Sequence, residues 1–139
     1  MKEQLKDIKQ KFFAFRNGIL ADALRKQTDY GVIFGLQIPQ IAEIARSLDS
    51  SLALAQALWD DVKVRESRLL ATYLFPVGEI DREKALVLAS EVKTVEEADM
   101  LAFRLLKRLP DAPQILEAME SREDISEYMK KTLANHLSS

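Results

Sequence analysis

The residues that can do chemistry in this sequence are few. Arg65, Glu66 and Arg68 fall in one short run, Asp99 lies farther along, and there is a single Trp59 and a single His136. At 100° per residue on a helix, Val62, Glu66, Leu69, Leu70 and Tyr73 share one arc, with Glu66 near its middle. A bare carboxylate in an apolar arc is costly unless it is hydrogen-bonded or ion-paired. Glu66 therefore reads as an acceptor for backbone N–H groups or for a neighbouring arginine, locking two helices together. The alternative is a carboxylate that faces a groove and touches a ligand. Arg65, Arg68 and Thr72 share a different arc, because spacings of three and four place side chains on one face. That arc is either an ordinary solvated face or a pair of cations set to hold two backbone phosphates.

Asp99 borders an apolar stripe of Val95, Ala102, Leu105, Leu106 and Leu109, beside Phe103. A half-buried carboxylate there can act as a general base, stabilise a developing cation, or serve as a structural acceptor. Trp59 sits at helical spacing from Leu52, Ala55 and Leu58 and reads as a wedge between helices; stacking on a nucleobase would need exposure. Without a second histidine, His136 does not suggest a metal site. Zero cysteines exclude disulfides, thiolate catalysis and cysteine-rich zinc sites. The zincin, phosphate-loop, nucleophile-elbow and dinucleotide motifs are all missing. No cofactor and no metal are expected.

These residues need helices to position them. The 139 residues are enough for one domain with a genuine core, and 47% apolar with 30% charged residues is a globular balance. Four glycines and four prolines leave little punctuation for strands. Apolar periodicity and capping signals predict helices over about 2–15, 18–27, 39–48, 51–60, 63–75, 82–91, 95–110, 111–120 and from 121 onward. In the second of these Leu20, Ala23 and Leu24 point inward, and the pair Phe12 and Phe13 reads as packing. Residues 30–36 form the least helical stretch, a β-branched and aromatic run between two glycines that reads as a buried connector. The expectation is an all-α fold, a single domain over residues 1–139, with eight or nine short helices in antiparallel pairs. No apolar run reaches the ~18 residues a membrane span needs, and nothing resembles a signal peptide, so a cytoplasmic protein is expected. Net charge is −2, yet residues 1–30 carry seven Lys/Arg against four acids. A polyanion would therefore meet the front end or a local arginine cluster.

The run from Leu52 to Trp59, followed by Arg65 to Leu74, resembles the HEAT-like DNA alkylation repair family, the alkylpurine DNA glycosylases. The family pattern LA..LW is matched by Leu54, Ala55, Leu58 and Trp59, and E.R.LA..L by Glu66, Arg68, Leu70, Ala71 and Leu74. Tyr30-Gly31-Val32, with Ile38-Pro39-Gln40-Ile41 after it, is similar to the family's opening segment, so the resemblance spans about residues 28–109. It implies a HEAT-like superhelix whose concave face holds duplex DNA, and release of cationic alkylated bases through an aspartate, tryptophans and an arginine. Asp99 matches the position of that aspartate. The family tryptophan four residues earlier is Val95 here, and no tryptophan or matching arginine follows Pro110.

Three readings follow. The first is a HEAT-like scaffold related to the repair family but without glycosylase activity, binding a protein, or duplex DNA weakly and in a salt-sensitive way. The second is a glycosylase in which Asp99 stabilises the sugar cation while Arg65 and Arg68 hold phosphates, with Glu66 and Trp59 structural. The third is a helical assembly domain with no ligand groove, for which the sequence specifies no oligomeric state.

Overall fold

Short polar side chains set most of the helix starts. In the computed structural model, which describes residues 1–138, Asn17 accepts from the Ile19 and Leu20 N–H groups, Ser51 from Leu54, Asp81 from Lys84, and Thr94 from Glu97. Each satisfies a donor that the first helical turn leaves without a partner. The fold among the described residues is all-α: nine α-helices, two short 3-10 turns, and no strand beyond one isolated parallel bridge between Val32 and Val64. The chain divides into two compact units, Met1–Leu74 and a second that begins at Phe75.

The first unit holds α1 (Lys2–Ala14), α2 (Gly18–Arg25), α3 (Ile38–Arg46), α4 (Leu52–Trp59) and α5 (Arg65–Leu74). Helix α5 packs against both α3 and α4. Its Leu69, Leu70, Ala71 and Leu74 are buried, as are Ile41 and Ile44 of α3 and Leu54, Ala55, Leu58 and Trp59 of α4. Each large apolar side chain removed from water contributes about 1.5–3 kcal/mol. Pro39 lies in the first turn of α3, where its missing N–H costs no hydrogen bond, and the Gln40 side chain accepts from the Gln37 N–H. In α2 the buried residue is Ala21, not Ala23, which is exposed. Ala21 packs with Tyr30, Ile33 and Leu24, tying α2 to the connector. That connector has no regular structure, and all of it except Gly31, Val32 and Phe34 is buried.

The second unit holds α6 (Arg82–Ser90), α7 (Val95–Arg104), α8 (Ala112–Glu120) and α9 (Glu127–Ser138). Helix α7 packs on α9, and α8 on α6 and α9. Two expectations change here. The helix predicted over 95–110 breaks at Leu105 (φ −127°, ψ −64°) and continues as a 3-10 turn, Leu106–Arg108. Leu105, Leu106 and Leu109 are all buried across this break, so the apolar stripe continues through the change of helix type. The last helix starts at Glu127, not near 121. Before it the chain turns, with the Arg122 guanidinium forked onto Asp124 at 2.8 and 2.7 Å, and the Ser126 side chain accepts from the Met129 N–H at the start of α9.

Candidate functional site

A tightly constrained polar cluster is built around Glu66. The Val32 N–H donates to the Lys63 carbonyl (2.9 Å) and the Arg65 N–H to the Val32 carbonyl (3.2 Å), so the connector is pinned alongside the start of α5. From there three successive N–H groups, of Phe34, Gly35 and Leu36, donate to the Glu66 carboxylate at 3.0, 3.0 and 3.2 Å. Arg65 Nη1 donates to Glu66 Oε2 at 2.7 Å and to the Leu36 carbonyl at 2.9 Å. The Glu66 side chain is fully buried and that of Arg65 is 3% exposed. Consecutive backbone N–H groups of this kind form an anion-binding concavity. Here the anion is the chain's own carboxylate, neutralised by the adjacent guanidinium.

Gly35 makes the arrangement sterically feasible. Its φ is +87°, and a Cβ there would lie 2.2 Å from the Asn17 carbonyl oxygen and 2.9 Å from the Ala21 nitrogen. The connector backbone therefore lies directly on the start of α2, and Asn17 seals it by donating its own N–H to the Phe34 carbonyl at 2.8 Å.

The two arginines expected on an outward face are inside. Arg68 is 1% exposed; its guanidinium lies 3.7 Å from the centre of the Trp59 ring and donates to the Trp59 carbonyl at 2.7 Å. It thereby stacks on the indole and satisfies a carbonyl at the end of α4. Arg65 and Arg68 do share one arc, but α5 is covered on that arc as well, and every residue from Arg65 to Thr72 is buried. Guanidiniums so enclosed do not present themselves to a phosphate backbone. Trp59 is itself fully buried, which removes it as a stacking platform.

Asp99 stands in the opposite condition from the one expected. Its side chain is 62% exposed, and its carboxylate is 2.9 Å from His136 Nε2. The pair joins α7 to α9, and the His136 ring also lies 5.7 Å from the Phe103 ring. Val95, predicted to be part of the buried stripe, is 63% exposed. The buried carboxylate on α7 is instead Glu97, whose Oε1 accepts from the Lys93 N–H at 2.8 Å. Among the described residues no group of three or more His, Asp or Glu is placed to hold a metal ion. No helix among them is long and apolar enough to cross a membrane.

One surface was not singled out as a site by sequence reasoning. Phe12 is fully buried, but its neighbour Phe13 is 56% exposed, with the Arg16 guanidinium 3.9 Å above its ring. Phe13, Leu5, Lys6, Lys9, Gln10 and Phe34 line a cleft of ≈ 570 Å³. The signal was available in the helix wheel of α1, where Ile8 and Phe12 mark the packed side and Phe13 falls outside it. Comparison with models of protein families, with curated proteins and with solved structures finds no match.

Proposed function

We propose that this chain is a non-catalytic binding scaffold, related to the HEAT-like DNA alkylation repair proteins and built of antiparallel helical pairs in a superhelix. The observation that carries this reading is the state of Asp99. A carboxylate that stabilises a sugar cation acts through a water-excluded, preorganised site, where its charge is worth far more than in water. Asp99 is mostly solvated and is engaged with His136. The arginines that would have held phosphates, Arg65 and Arg68, are committed to internal carbonyls and to Glu66. The polar groups that the resemblance would assign to chemistry thus have structural partners here.

A protein is the partner this reading favours, and the absence of cysteine suits the reducing conditions of the cytoplasm. Duplex DNA is the second reading. The excess of Lys and Arg in residues 1–30 supports weak, non-specific contact that falls steeply with salt. The deciding experiment is base release from methylated duplex DNA by the native chain and by Asp99→Asn. The expected result is release no greater than the protein-free control. Release by the native chain that Asp99→Asn abolishes would overturn the proposal.

A further inference from the structure

We infer that the solvent side of α1, together with Phe34, is a docking groove for an acidic amphipathic helix of a partner protein. The inference rests on the scaffold reading and names the kind of partner.

Ile8 and Phe12 are the buried residues of α1. Rotating away from them at 100° per residue, the next arc holds Leu5, Lys9, Lys2, Phe13 and Lys6. The two acids of the helix, Glu3 and Asp7, fall beyond that arc on the far side. Every charged residue on the arc is therefore a cation, and Arg16 is added at its end by its position over the Phe13 ring. Lys9 is 3.2 Å from Asp61, whereas Lys2 and Lys6 form no ion pair among the described residues. Lys6 and Lys9 line the cleft whose apolar surface is Leu5, Phe13 and Phe34.

Charge and shape together choose the occupant. An acidic helix with apolar anchors at spacings of three and four would lay those anchors on Leu5, Phe13 and Phe34 and its carboxylates on Lys2, Lys6 and Arg16. A second copy of the chain would set the same lysines against each other across a two-fold axis, which like-charge repulsion disfavours. A duplex backbone offers nothing to the apolar lining, since phosphate contacts need only cations. A bilayer is engaged by an apolar face that projects from its surroundings. Here the apolar surface is only Leu5, Phe13 and Phe34, and Lys6, Lys9 and Gln10 interrupt it, so no continuous apolar face is offered.

The test uses the full chain, isotope-labelled, and a synthetic peptide of about 15 residues, near the length of α1. The peptide carries Leu and Phe at positions i, i+3, i+4 and i+7, with Glu beside them. Amide shifts are expected to concentrate on residues 5–13 and on Phe34. Lys2→Glu with Lys6→Glu, and separately Phe13→Ser, should each weaken binding about tenfold. Unchanged Trp59 fluorescence and helix content would show that these exposed substitutions leave the fold intact. Absence of shifts at millimolar peptide would overturn the inference, as would equal binding of a peptide with Lys in place of Glu. Tighter binding of phosphatidylserine vesicles or of a DNA duplex, weakened by the same substitutions, would assign the face to a membrane or to nucleic acid instead. Peptide binding says nothing about base release, so failure of this inference and failure of the scaffold reading are separately visible.

Discussion

Replacing Glu66 tests the structural account of the first unit most directly. In Glu66→Ala, the Phe34, Gly35 and Leu36 N–H groups and the Arg65 guanidinium lose their common acceptor. The Gly35 and Leu36 bonds are buried and the Phe34 bond is partly so. Two buried donors at about 1–3 kcal/mol each give a loss of about 2–6 kcal/mol. Breaking a buried ion pair from one side gives an independent figure of about 3–5 kcal/mol. The two agree on roughly 4 kcal/mol, a large share of the 5–15 kcal/mol typical of a domain. With a urea slope of about 2 kcal/mol/M, the midpoint should fall by about 2 M. The assay is urea unfolding followed by tryptophan fluorescence. Trp59 is the sole tryptophan, is fully buried, and lies in the same unit as Glu66, so it reports on the right region. Glu66→Gln should show much of the same loss, because an amide offers one acceptor oxygen and turns two donors toward a row of donors. A decrease below about 1 kcal/mol in both variants would mean that the carboxylate does not anchor the connector, and the account of residues 30–36 would fall with it.

Four further outcomes are expected. Gly35→Ala should destabilise by more than the ~1 kcal/mol that a positive φ costs alone, because its Cβ meets the Asn17 carbonyl; calorimetry would check this. Arg68→Ala should cost about 3 kcal/mol and shift Trp59 emission, while leaving any DNA affinity and its salt slope unchanged; a reduced slope in titrations at several salt concentrations would return Arg68 to the surface. Asp99→Asn should alter stability by under about 1 kcal/mol, as suits an exposed pair, measured by the same urea titration. Finally, the hydrogen bonds that Arg122 donates hold the Asp124 carboxyl below its ordinary value. A lowered folded-state value means that this contribution is complete above the unfolded aspartate range and is lost as pH falls through the folded one. An NMR titration of Asp124 should accordingly show a midpoint below that of an unperturbed aspartate.

Much of the fold was legible in the sequence because helix signals are local. Ser51, Asp81 and Thr94 each sit at the start of an observed helix, and Leu54 and Leu58 of α4 and Leu69, Leu70 and Leu74 of α5 are buried. The need for partners around Glu66 was legible too, since a carboxylate in an apolar arc demands them. Their identity was not. The donors lie 30–32 residues earlier, in a segment whose own pattern names no structure. The arginines misled because a wheel gives angular position but not coverage. Residues three and four apart share a face whether that face is wet or dry, and α5 is covered all round its first two turns. Asp99 misled for the reverse reason. Its stripe was drawn through Val95, but the exposed Val95 shows that the covered face of α7 is turned toward Glu97, Ala98, Leu101 and Ala102.

The stretch around Gly35 also limits how this chain can vary in length. Irregular segments normally absorb added or deleted residues with little consequence. One extra residue between Ile33 and Leu36 would slide the row of amides off the carboxylate and replace Gly35 with a residue whose Cβ meets the Asn17 carbonyl. The tolerance usual for a loop should therefore be found on either side of this stretch, in the exposed turn after α2 and the exposed link between α3 and α4, and not within it.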